Sequence, residues 1–241
     1  MSENGHKKIK IFLPRIFTIL NLFFGFLAIY FALNNNTEIA IRLVILGALA
    51  DFIDGRISRF LKISNPIGKE IDSLADTVSF GVAPSFIFVK NFKVLYSNSY
   101  LALIFGFLIL FAVVYRLARF NLYGDSLEYT GLSSPTASMS TLPLYIYLQD
   151  TSALKFVPFI QLFTAFLMVS HIPYPSLKYT KIYNRFVFPF VIIAIVSSLI
   201  FKDWLIFFFI LGVVYALLGP FLKDKVTPIL DIEIKDNKRL N

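Results

Sequence analysis

The chain has no cysteine and only two histidines, His6 and His171. Without cysteine there are no disulfides and no thiolate metal site, and the redox compartment is unreadable. The two histidines are far apart and form no His-Glu-x-x-His pair, so both read as ordinary surface or interfacial residues. Charge is scarce, at 16% of residues. No basic stripe interleaves with aromatics outside the apolar segments. The net charge of +8 therefore fits anionic lipid headgroups better than nucleic acid, and no nucleic-acid partner is expected. No internal repeat or low-complexity tract stands out.

What the chain has instead is apolar mass. Of its 241 residues 57% are hydrophobic, 28 are phenylalanine, and the mean hydropathy is +0.71. That composition belongs to multi-spanning membrane proteins. The expected fold is all-α, a polytopic membrane helix bundle. Apolar runs predict about eight transmembrane helices, at 16–33, 38–61, 68–91, 99–121, 135–148, 153–171, 186–201 and 204–222. Residues 1–15 read as a cytosolic and interfacial lead, with the stretch around Pro14 lying along the membrane surface. Residues 16–222 read as the transmembrane domain and 223–241 as a cytosolic tail. The first run is too long for a signal peptide and has no small-residue cleavage site before Asn34, so it reads as a retained helix. In it, Thr18, Asn21 and Gly25 put polar or small residues on one face, a pattern of close helix packing. Pro84 is expected to kink the third helix.

Lysine and arginine placement orients the bundle. With the N-terminus inside, the cytosolic side holds Lys7, Lys8, Lys10, Arg15, Arg56, Arg59, Lys62, Lys69, Arg116, Arg119, Lys178, Lys181, Arg185 and the basic residues of the tail. The opposite side holds Lys90, Lys93, Lys155 and Lys202. The chain is thus expected in the cytoplasmic membrane with both termini on the cytosolic side.

Residues 51–76 break the apolar pattern. Asp51, Asp54, Glu70, Asp72 and Asp76 fall between apolar flanks. An uncompensated carboxylate near hydrocarbon costs at least about 2.5–3.5 kcal/mol, so something must hold these groups there. Asp51 and Asp54 are three apart, Asp72 and Asp76 four apart; on helices each pair shares a face. Ser64-Asn65-Pro66 breaks the helix between them. The reading is a helical hairpin with two converging acidic faces, an all-oxygen site suited to Mg2+ or Mn2+. Gly55 leaves the backbone beside Asp54 open to a ligand. Arg56, Arg59, Lys62 and Lys69 add positive charge suited to phosphate. Phosphoryl chemistry on the cytosolic face is the implied function. Downstream, Arg116 and Arg119 share one helix face at a helix end and suit either positive-inside anchoring or the binding of a carboxylate or phosphate.

These residues also carry a resemblance. Asp51, Asp54-Gly55, Arg59, Gly68, Asp72 and Asp76 keep every spacing of the pattern D-x-x-D-G-x-x-A-R, eight residues, G-x-x-x-D-x-x-x-D. That pattern is the mark of the CDP-alcohol phosphatidyltransferases. Ser58 is the one departure, standing where the family has alanine. Three further stretches resemble the phosphatidylserine synthase branch: the first span, whose polar face lines that branch's active site; the run from Asp72 to Pro84; and Arg116-Leu-Ala-Arg119-Phe-Asn121. Gly131-Leu-Ser-Ser-Pro135 resembles the branch's Gly-Leu-Pro-x-Pro segment, with Ser133 in place of the first proline.

The resemblance implies a six-helix catalytic core and transfer of a phosphatidyl group from CDP-diacylglycerol to L-serine, giving phosphatidylserine and CMP. It implies two divalent cations, Mg2+ or Mn2+, on Asp51, Asp54 and Asp72, with Asp76 a ligand or the base. Gly55, Ser58 and Gly68 would border the nucleotide and Arg59 the diphosphate. Arg116, Arg119, Asn121, Ser133 and Ser134 are candidates to bind serine. A homodimer among membrane lipids is implied as well. Inositol phosphate or glycerol phosphate as acceptor, or an ether CDP-lipid, would use the same chemistry. An ion-coupled transporter is the alternative from another class, but the chain has no inverted repeat and its acids cluster at one face.

Overall fold

The computed structural model describes residues 3–61, 66–123, 128–175, 192–193, 196–197, 201, 206–218 and 220–221, with 3–13, 128, 129 and 175 described by their main chain alone. The described residues are helical apart from turns and one short strand pair. They fall into two compact units, residues 1–111 and 112–241.

The first unit begins with α1 (Glu3–Leu33). This helix starts well before residue 16, where the apolar run alone put it. The polar lead is part of the helix, with both Gly5 and Pro14 inside it; Pro14 removes only one backbone donor. A tight turn with Asn35 at positive φ reverses the chain. Asn36 then caps α2 (Thr37–Phe60), its side chain accepting from the Ile39 amide. The buried face of α2 repeats at helical spacing through Ala40, Ile41, Val44, Ile45 and Ala48. After residues 62–65, where the expected Ser-Asn break lies largely outside the described residues, α3 (Pro66–Asp76) opens on proline.

The helix does not simply kink at Pro84. Residues Thr77–Val82 form a π-helical segment that leads into α4 (Ala83–Tyr96). Proline has no amide hydrogen, and its ring crowds the carbonyl one turn back. The wider π turn accommodates this, with the Ala83 amide reaching back five residues to the Val78 carbonyl. Ser97, at positive φ, ends α4, and the Asn98 side chain caps α5 (Ser99–Tyr123) through the Leu101 amide. Phe88 stacks on Phe92, and Phe92 meets Phe105 edge-on at 5.6 Å.

The second unit contains α6 (Ser134–Tyr147), capped by Ser133, and α7 (Val157–Val169), which follows a 3-10 turn. Nearly every residue of α6 from Ala137 to Ile146 is buried. Strands β1 (Glu128–Thr130) and β2 (Pro173–Pro175) pair antiparallel, Tyr129 opposite Tyr174. Helix α8 (Ile206–Leu218) packs Gly212 against Ser140 of α6.

Among the described residues, four helical stretches are long and apolar enough to cross a membrane: Pro14–Leu33, Pro66–Tyr96, Ser99–Tyr123 and Ser152–Val169. Helix α2 falls outside that set because Asp51, Asp54, Arg56 and Arg59 lie near its end. Most of the seventh expected span, and the tail from 222 on, lie outside the described residues.

Helices in lipid gain nothing from leaving water, so close packing of small residues has to hold them together. A Cβ on Gly25 would lie 2.4 Å from Ser79 Oγ and 2.8 Å from Ser79 Cα. Main chain stands in the way there, so relief requires a backbone shift. Gly25→Ala is expected to destabilise the protein by about 1–3 kcal/mol, read as an earlier loss of monodisperse protein on heating in detergent. An unchanged thermal midpoint would contradict the close approach.

Candidate active site

Asp51 and Asp54 sit in the second half of α2, and Asp72 and Asp76 in the second half of α3, so the two pairs arrive on separate helices. Asp51, Asp72 and Asp76 converge, each offering a carboxylate oxygen within 4.8 Å of the others. Charged oxygens at that distance repel by on the order of 3–4 kcal/mol per pair at an effective dielectric near 20. Three of them around one point are a hard, all-oxygen donor set, which is what Mg2+ or Mn2+ requires. The residues present therefore fit a divalent cation.

Asp54 stands beside this trio. Its Oδ2 accepts a hydrogen bond from the Thr18 hydroxyl, and its Oδ1 accepts from Ser58 Oγ at 3.3 Å. Asp76 Oδ1 accepts from Asn21 Nδ2 at 3.0 Å. Asn21 is anchored in turn, because Ser79 Oγ donates to its main-chain carbonyl at 2.8 Å. These groups are enclosed: Asn21 is 0% exposed, Thr18 5%, Asp54 6% and Asp76 7%.

The remaining nucleotide-side candidates flank the carboxylates. Gly55 makes room for a cation, since a Cβ there would lie 3.2 Å from Arg59 Nη1. Ser58 is one turn past Asp54, and Gly68 is half-buried in the first turn of α3. Thr18 and Asn21 were legible as packing residues on a face that the family resemblance sets along the active site, whereas Ser79 went unremarked. The signal that could have found them is polarity itself, a threonine and an asparagine three apart in an apolar helix.

The acceptor-side candidates all belong to the second unit, which takes in α5 from Ala112 on. Arg116 is buried, its guanidinium 5.4 Å from the Phe120 ring centre. Asn121 is half-buried near the end of α5. Arg119 donates to four main-chain carbonyls: Thr130 at 2.5 Å, and Met168, Val169 and Ser170 at 3.1 Å each. Three of these close the C-terminus of α7, where a cation meets the negative end of the helix. Gly131, at φ +81°, runs beside them; a Cβ would lie 2.2 Å from the Met168 carbonyl oxygen and 2.6 Å from Arg119 Nη2. Arg119, a candidate for the serine carboxylate, thus also clamps main chain. Ser133 is engaged as the cap of α6, while Ser134 Oγ is buried with no hydrogen-bond partner.

Two helices of a membrane protein that bring three aspartates to one point form a candidate divalent-cation site. Comparison with known proteins gives the chain its family. The CDP-alcohol phosphatidyltransferase profile matches residues 11–172. The chain is 32% identical over 197 residues to the CDP-diacylglycerol–serine O-phosphatidyltransferase of Helicobacter pylori, covering 78% of this chain and 81% of that one. It is 34% identical to the archaetidylserine synthase of Methanothermobacter thermautotrophicus, over 70% of this chain and 72% of that one. The CDP-diacylglycerol–serine O-phosphatidyltransferase of Bacillus subtilis is 31% identical over 69% of this chain and 92% of its own length. The chain belongs to the CDP-alcohol phosphatidyltransferase family, a family of transferases.

Arg119→Ala leaves four carbonyls without their donor and is expected to cost roughly 2–4 kcal/mol of stability. Arg119→Lys should recover only part, because a single ammonium cannot span four acceptors. Thermal unfolding in detergent reads both. Wild-type stability in Arg119→Ala would show that the clamp is dispensable.

Proposed function

We propose that the protein transfers a phosphatidyl group from CDP-diacylglycerol to the hydroxyl of L-serine, forming phosphatidylserine and releasing CMP. The convergence of Asp51, Asp72 and Asp76 carries the phosphoryl-transfer part of this reading. The acceptor is supported by the names of the relatives, in which serine recurs while the lipid changes from phosphatidyl to archaetidyl.

The serine oxygen attacks the phosphorus that carries the diacylglycerol. A new P–O bond forms, the P–O bond to CMP breaks, and the hydroxyl proton leaves the serine. Asp76 takes that proton; it is buried, and Asn21 holds one of its oxygens. Asp51, Asp54 and Asp72, with Asp76, would hold two divalent cations, Mg2+ or Mn2+, which neutralise the diphosphate and stabilise both the entering and the leaving oxygen. Arg59, packed over Gly55, faces the diphosphate, and Gly55, Ser58 and Gly68 border the nucleotide. Arg116 is the cation for the serine carboxylate, because the donors of Arg119 are directed at main chain. Asn121, Ser133 and Ser134 are the further candidates to bind serine. The protein sits in the cytoplasmic membrane with both termini and the site on the cytosolic face, in keeping with its basic residues, and works as a homodimer, as the family resemblance implies.

The test is an acceptor panel. Purified protein with CDP-diacylglycerol and Mn2+ should release CMP with L-serine and make phosphatidylserine. Arg116→Ala should raise KM for serine about tenfold or more, the loss of one charge-assisted contact, with KM for the lipid little changed. Product formed only with inositol phosphate or glycerol phosphate would sink the serine assignment while keeping the cation site. CMP release from an ether CDP-lipid alone would move the donor to the archaetidyl type.

A further inference from the structure

Both buried carboxylates of the site are held by α1. Thr18 binds Asp54 and Asn21 binds Asp76, and the two residues are three apart on one helix face. Asn21 is an odd choice for packing alone. Its side-chain oxygen is buried without a hydrogen-bond partner, and the Cβ position of Gly47 lies 3.0 Å from that oxygen. An amide oxygen left so is a standing penalty that a leucine would not incur. What the asparagine gains is its bond to Asp76. The main chain at Asn21 is pinned as well, by Ser79 Oγ, with Gly25 packed against Ser79.

Ser58 adds a contact that the alanine of the family pattern could not make. It stands where the family pattern has alanine, and its hydroxyl is directed at the other oxygen of Asp54. With Thr18 it gives Asp54 one hydroxyl donor per carboxylate oxygen. Each such oxygen has more than one acceptor site, so these bonds fix the carboxylate without consuming it as a ligand.

We infer that Thr18, Asn21 and Ser58 are positioning residues of the divalent-cation site, holding Asp54 and Asp76 in the orientation in which a cation meets them. The inference rests on the cation reading above. Partners of this kind, one shell out from the ligands, typically govern cation affinity by about 10–100-fold.

The probe is Mn2+ alone, titrated into the full-length protein in detergent and followed by the electron paramagnetic resonance of free Mn2+. Thr18→Val and Asn21→Leu keep the side-chain volume and remove the bond. Each is expected to weaken Mn2+ binding about tenfold or more, with Ser58→Ala weakening it about threefold, at the lower edge for such partners. Thr18→Ser keeps the hydroxyl and should keep the affinity. In turnover, the Mn2+ concentration for half-maximal rate should rise in step, while kcat at saturating Mn2+ changes far less. Asp51→Asn separates the two layers of the account. If Asp51→Asn binds Mn2+ like the wild type, the cation reading itself fails. If Asp51→Asn loses Mn2+ while Thr18→Val, Asn21→Leu and Ser58→Ala all bind it normally, the positioning inference is overturned. Should the first two variants not fold, Ser58→Ala decides, since the family pattern itself carries alanine there; unchanged affinity in it counts against the inference.

Discussion

Three carboxylates within 4.8 Å of one another, at the end of apolar helices, are the constraint that the first unit of this protein is built to satisfy. Left alone they would repel one another and resist leaving water. Two features answer the repulsion. A hard cation is the natural counter-charge, and a set of neutral donors, two on α1 and one on α2, holds Asp76 of the trio and Asp54 beside it. The donors are hydroxyls and an amide, from Thr18, Ser58 and Asn21. Neutral donors orient a carboxylate without competing with a cation for the role of counter-charge.

The need for these donors explains much of the helix packing. For Thr18 and Asn21 to reach Asp54 and Asp76, α1 has to lie close against α2 and the π segment. Gly25 and Gly47 permit that approach, one against Ser79 and one against Asn21. The π segment at Thr77–Val82 follows directly on Asp76 and contains Ser79. It absorbs Pro84 and at the same time places the serine that pins Asn21. Function and packing are therefore carried by the same few residues, which is common where a polar site must be enclosed in a membrane protein.

The acidic pairs were legible in the sequence because their spacing is local: three and four residues apart on helices, with Pro66 opening the second. Most helices were legible for the same reason, from apolar runs and their breaks. What escaped depends on distant partners. The bond from Thr18 to Asp54 spans 36 positions, and the one from Asn21 to Asp76 spans 55. Arg119 shows the limit most clearly. Beside Arg116 on one helix face it resembled a carboxylate ligand, yet its acceptors are carbonyls 11 and some 50 residues away. The pairing of β1 with β2 and the π segment likewise have no local hydrophobic signature. The early start of α1 was missed because hydropathy marks where a helix becomes apolar, not where it begins.

The central claim is that the aspartates from α2 and α3 form one divalent-cation site that drives release of CMP from a CDP-lipid. The most direct measurement is CMP released from CDP-diacylglycerol and serine by chelator-stripped protein, before and after Mn2+ is restored, with Asp51→Asn alongside. The account predicts no release from stripped protein, recovery with Mn2+, and no recovery in Asp51→Asn. Sustained release without a divalent cation, or full activity of Asp51→Asn, would contradict it.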